Sequence, residues 1–112
     1  MRTLSKSSGL DKHLDASGTI TAGGVAQSLL VLDQDRHYLF IQNVGTGDMW
    51  INYTTTAILG QPSVRIPQNA ELVEEGNFVS GEAISIIAAD TGHPFTCKTS
   101  QKIGAGTQGG AP

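Results

Sequence analysis

The chain has 112 residues, enough for one domain, with 38% hydrophobic and 15% charged residues and a net charge of −3. Charged content this low, against about 25% in ordinary domains, is balanced by Thr, Ser, Gln, Asn and Gly, which suits strands and turns rather than long helices. Over residues 17–100, Arg36, Arg65 and Lys98 are outnumbered by Asp33, Asp35, Asp48, Asp90, Glu71, Glu74, Glu75 and Glu82; this excludes the basic footprint of a nucleic-acid binder, and no apolar run nears the roughly 18 residues of a membrane span.

Residues 1–16 mix charge with Ser and Gly and have no sustained period, so they read as an N-terminal arm with a helical turn near Leu10–Leu14. The arm carries no apolar run of the secretory type. Together with the single cysteine, Cys97, which can form no internal disulfide, this gives the expectation of a chain made in a reducing cytosol.

Short strands then follow at regular spacing. Gly18–Ala22 is Thr-rich, and Val25–Leu32 follows the Gly23-Gly24 break. Asp33–Asp35 turns the chain into Arg36–Asn43. After Gly45-Thr46-Gly47-Asp48 comes Met49–Thr54. These two runs hold four of the six aromatic residues (Tyr38, Phe40, Trp50 and Tyr53), and the Gly-rich link predicts a β-hairpin. Ser63–Ile66, Glu71–Glu74, Ala83–Ala89 and Phe95–Thr99 complete the set. Residues 101–112 are Gly-rich and read as a flexible tail. About eight short strands with turns every 8–12 residues predict an all-β fold, a jelly-roll-like antiparallel β-sandwich spanning residues 17–100.

Alternation assigns faces within the expected hairpin. Leu39 and Ile41 share one face, Tyr38 and Phe40 the other. Met49, Ile51 and Tyr53 oppose Trp50 and Asn52. Both faces are then apolar, more than one sandwich core requires, so the surplus face is expected to be covered by another subunit, the reading favoured, or else by the chain's own N-terminal arm or a loop.

Several motifs carry residue types that chemistry uses. Asp90-Thr91-Gly92 after an apolar run has the pattern of the retroviral aspartic proteases, in which paired Asp residues share a proton. Too little chain follows it for that fold, and Asp and Gly are strong turn residues. His93 and Cys97 on one strand would stand about 13 Å apart, and two ligands do not make a zinc site; a surface His and a half-buried Cys are expected. The Glu71, Glu74, Glu75 and Glu82 cluster reads as a solvated edge. The Asn52-Tyr53-Thr54 sequon reads as ordinary strand. No nucleophile elbow or phosphate-binding glycine loop is present. No catalytic residue, metal ligand or cofactor is assigned, and an enzyme is not expected.

The runs Gly18–Ile20, Gly23–Leu29, Arg36–Asn43, Met49–Tyr53 and Gly81–Gly92 together resemble small β-sandwich virion proteins of tailed bacteriophages, the head decoration or cement type. The resemblance covers residues 18–99. It implies a structural protein that binds the major capsid protein or another virion protein, as a homo-oligomer with a trimer favoured. Such a protein is made in the host cytoplasm and resides in the virion. The candidate interface is Arg2, Leu4, Leu10 and Leu14 of the arm with the outward face of Tyr38, Phe40 and Trp50. A tail, neck or baseplate module that contacts other virion proteins or a host surface glycan is the alternative.

Overall fold

Alternation of apolar and polar residues decides which side of each strand turns inward, and the computed structural model shows the result for residues 11–76 and 78–102. The described residues form nine strands and no helix. They are β1 (Asp11–Asp15), β2 (Gly18–Thr19), β3 (Gln27–Leu30), β4 (Arg36–Asn43) and β5 (Met49–Asn52), then β6 (Val64–Ile66), β7 (Glu71–Glu75), β8 (Ile84–Ala88) and β9 (Pro94–Lys102). Two antiparallel sheets pack face to face as a β-sandwich. One has the order β1-β9-β4-β7, with β2 also paired to β9; the other has the order β3-β8-β5-β6.

The pairings nest. β1 pairs with β9, β3 with β8, β4 with β7, and β5 with β6. The chain is thus one long double-stranded ribbon whose tip is the β5–β6 connection. The ribbon crosses repeatedly between the sheets and is closed by the β9–β4 and β8–β5 ladders.

The core lies between the sheets. Leu39 and Ile41 of β4, Met49 and Ile51 of β5, Ile84 and Ile86 of β8, and Cys97 of β9 are buried there. Each large aliphatic side chain buried in this way contributes about 1.5–3 kcal/mol. The alternation expected for β4 and β5 is the one observed.

Their pairing is not. β4 and β5 do not form a hairpin; they lie in different sheets, each paired with other strands. Residues 44–48 carry the chain across the sandwich instead of folding it back. Tyr38 and Phe40 consequently face outward from one sheet, and Trp50 outward from the other. The turn at Asp90–Gly92 likewise joins strands of different sheets.

A second correction concerns the arm. Asp11–Asp15 is not a helical turn but an edge strand in register with β9, with Leu14 opposite Thr99 and His13 opposite Ser100. Strand β9 also extends to Lys102, past the expected start of the tail. Residues 1–10 and 103–112, with the expected interface residues Arg2, Leu4 and Leu10, lie outside the described residues.

Candidate functional site

The crossings between sheets gather the loops at two ends of the sandwich. At one end the connections 20–26, 44–48, 67–70 and 89–93 meet around Asn43, which is fully buried. Its Nδ2 donates to the carbonyls of Gly47 and Ile66, each at 2.8 Å. Its Oδ1 accepts from Gly45 N at 3.0 Å and lies 2.7 Å from His93 Nε2. Because Nδ2 is committed to two carbonyls, Oδ1 must be an acceptor, and His93 therefore carries its proton on Nε2. Gly45 lies against the imidazole: a Cβ there would fall 2.8 Å from His93 Nε2. His93 is buried rather than on the surface, and Cys97 is fully buried rather than half-buried. This network pins the β4–β5 crossing. Both polar atoms of the Asn43 side chain are taken up within the network, by three backbone groups and the His93 ring.

At the other end the connections 31–35 and 53–63 and residues 78–83 meet around Arg36, which is buried. Its Nη1 donates to the carbonyls of Ser80 and Glu82, and its Nη2 to that of Val31, at 2.8–3.0 Å. The planar guanidinium suits such a multi-carbonyl grip. Nearby, Glu74 accepts from the Tyr53 hydroxyl at 2.8 Å and from Ser80 N at 2.9 Å. Burial, and then this bond to the carboxylate, push the Tyr53 phenol well above its usual range. Tyr53 and Trp50 are thus turned to opposite sides. Asn52 is buried and caps the turn through Thr54 and Thr55, so these three do not line one groove.

The outer face of the first sheet holds the most varied chemistry. His13, Ser100, Tyr38 and Glu75 stand side by side across β1, β9, β4 and β7. The β4–β9 register steps at His37, between the pairs Gln101–Arg36 and Ser100–Tyr38. Such irregularities re-aim side chains. His13, His37, Tyr38, Glu75, Gly76 and Ser100 line a groove of about 390 Å³. Ser100 Oγ lies 2.6 Å from His13 Nδ1. That pair has the components of an activated hydroxyl, but Ser100 is only 3% exposed and presents no nucleophile to solvent. Sequence reading missed the groove because its residues come from four strands, and only the non-local register joins them.

The next row on this face runs Asp15, Lys98, Phe40 and Val73. Lys98 Nζ is 3.3 Å from an Asp15 carboxylate oxygen. Hydrogen bonds from the Ser17 side chain and backbone, with Lys98 adding to them, hold the Asp15 carboxyl down to about 2. On the opposite sheet Trp50 stands between Arg65 and Ile87. A second groove, of about 420 Å³, is lined chiefly by Gln27, Ser28, Tyr53, Thr54–Thr56 and Ser85.

Of the expected interface residues, Tyr38 and Phe40 share the first outer face. Trp50 occupies the opposite one. Leu14 sits on edge strand β1, in register with buried Thr99 and itself 36% exposed. Asp90 and Thr91 are exposed in a turn, where the Thr91 hydroxyl accepts from Gly23 N at 2.8 Å. No group of three or more His, Cys, Asp or Glu among the described residues is placed to hold a metal ion. Burial pushes the Cys97 thiol up to about 11, which makes it a poor nucleophile at neutral pH. No known protein family, curated protein or solved structure matches the chain.

Proposed function

We propose that the chain is a structural virion protein of a tailed bacteriophage, a decoration protein that stabilises the head by bridging neighbouring capsid subunits. The observation that carries this reading is the nested strand order, β1-β9-β4-β7 against β3-β8-β5-β6. Eight strands nested as a ribbon over the two sheets of a β-sandwich support reading the fold as jelly-roll-like, an architecture used by viral capsid and lectin domains. Many functions share such a fold, so the surfaces carry the rest of the argument. Apolar side chains face outward on both sheets: Tyr38, Phe40 and Val73 on one, Trp50 on the other. A protein that bridges two neighbours needs contacts on two sides, and many weak contacts repeated over a shell sum to firm attachment. The partner is the major capsid protein or another virion protein, and a homotrimer is the assembly form.

A second reading, a tail or baseplate module that binds a host glycan, is favoured by the 390 Å³ groove. There the half-buried Tyr38 ring adjoins His13, His37 and Glu75, an aromatic surface beside hydrogen-bonding groups suited to a sugar. Purified protein mixed with expanded capsids that lack it, then sedimented, separates the two. Saturable co-sedimentation that Trp50→Ser or Phe40→Ser weakens supports decoration. No binding to capsids, with glycan retention abolished by Tyr38→Ala, overturns it in favour of the second reading.

A further inference from the structure

The outer face of the second sheet carries a polar row that core packing does not require. Met49 and Ile51 of β5 and Ile84 and Ile86 of β8 face the core, so alternation turns Asn52 and Ser85 to the outside. Ser85 stands opposite Ser28 of β3 on one side and opposite Asn52 on the other. Residues paired in this way hold their Cβ atoms about 4.5–5.5 Å apart. Ser28, Ser85 and Asn52 thus form one row across three strands. The connection after β5 folds over the row, where Ala57 N donates to Ser85 Oγ at 3.0 Å. The 420 Å³ groove runs along it, with Ser28 and Ser85 as floor and Thr54–Thr56 as wall.

Asn52 is only 4% exposed. Its Oδ1 accepts from Thr54 N, Thr54 Oγ1 and Thr55 N at 2.8–3.0 Å. Three donors converging on one atom fix which end of the amide is oxygen. The other end, Nδ2, is buried with no hydrogen-bond partner among the described residues. The cap holds the amide against the groove wall, and the strand register sets it beside the Ser85 side chain, so Nδ2 lies at the inner corner of the groove. A buried donor left unpaired is costly, and a ligand oxygen relieves that cost.

The lining selects the ligand. No charged residue lines the groove, so neither an anion nor a cation finds a counter-charge there. Ser and Thr hydroxyls both donate and accept, and Ala26 and Ala83 add small apolar spots beside them. That mixture fits a neutral ligand with many hydroxyls on a carbon ring. A volume of about 420 Å³ falls in the range of small-molecule sites, roughly 300–1,000 Å³.

We infer that this groove binds a neutral saccharide, one oxygen of which accepts from Asn52 Nδ2 while others bond the hydroxyls of Ser28, Ser85 and Thr54–Thr56. Thr55 and Thr56 are exposed on a connection rather than held in a strand, and a rotamer change there admits the ligand oxygen to the amide. The site is separate from the groove of His13 and Tyr38. It holds whether or not the chain decorates a capsid.

Amide spectra of the ¹⁵N-labelled full chain, titrated in turn with maltotriose, cellotriose and chitotriose, test it. Each is taken to about 10 mM, enough to populate a site of millimolar Kd. At least one should give saturable shifts of the Asn52 side-chain NH2 and of the Thr54–Thr56 and Ser85 amides. Ser28→Arg, at an exposed position, fills the groove and should abolish them; Tyr38→Ala, in the other groove, should leave them. Asn52→Asp keeps an acceptor for Thr54 and Thr55 but removes the donor. It should lose the saccharide shifts while the Thr54 and Thr55 amides stay protected from exchange. Saccharide shifts that survive Asn52→Asp unchanged overturn the role given to Nδ2. No saturable shift with any of the three sugars overturns the inference. So do shifts confined to His13, His37, Tyr38 and Ser100, which favour the other groove; capsid co-sedimentation is decided separately from both.

Discussion

Asn43 shows how one polar side chain can decide a chain path. Four groups depend on it: two carbonyls, one amide N–H and the His93 ring. Asn43→Leu keeps the volume and strands all four, each a costly buried orphan. The expected loss is about 3 kcal/mol in urea unfolding, and a double-mutant cycle with His93→Ala should show coupling of about 1–2 kcal/mol. Simple additivity would show that the ring and the amide do not act as a unit. Asp15 makes a separate pH prediction. Its carboxyl is lowered from 3.8 to about 2, first by Ser17 and then by Lys98. A depressed carboxyl favours the folded state above its ordinary value, and that contribution fades as pH falls from about 4 through 2. The side chain is exposed, so the contribution is local and screened. Carbon NMR titration of Asp15 should give a midpoint near 2, and Ser17→Ala should return it toward 3.8. At this scale the sequence was readable where alternation speaks: Leu39, Ile41, Met49 and Ile51 all face inward as their spacing requires. It was silent on Asn43 and His93, because a buried polar residue is identified by its partners, and these are brought together only by the fold.

Between elements, sequence reading met its physical limit at the link 44–48. Gly and Asp permit a hairpin turn and a crossing equally, and local residues do not say which strand lies alongside. The deciding bonds run from Asn43 to Ile66 and His93, 23 and 50 residues away. Strand β1 was hidden for another reason. Asp-Lys-His-Leu-Asp has one apolar residue, and an edge strand can be held by backbone pairing with little burial. Arg36 ties the other end as Asn43 ties the first. Arg36→Met removes the donors for Val31, Ser80 and Glu82, whose carbonyls turn partly to water. The expected result is about 2 kcal/mol of lost stability with hydrogen exchange accelerated first at Asp33 and Lys102, whose N–H groups bridge the loops and strand ends there. Uniform acceleration across β4, β8 and β9 would instead mean that Arg36 supports the whole core.

At the scale of the whole molecule, the nested ribbon makes the last strand depend on the first. Strand β9 lies between β4 and β1, and removing β1 would leave its Lys98–Lys102 half as a sheet edge with unpaired N–H and C=O groups, with β2 still covering Pro94 and Phe95. Long uncovered edges recruit other chains. The present edges are protected by other means: β6 is three residues long, and β7 carries Glu71, Glu74 and Glu75. β9 offers only Lys98 and Lys102 as charges against pairing, beside Thr96, Cys97, Thr99 and Ser100. A chain lacking residues 1–15 should therefore form concentration-dependent assemblies that light scattering detects at micromolar protein. A chain lacking only residues 1–10 keeps β1 and should keep the parent's assembly state. Because the two truncations differ only by the five residues of β1, a difference in scattering assigns the effect to the uncovered β9 edge. If both truncated chains associate alike, the β9 edge is not the adhesive surface, and the protective role given to β1 is wrong.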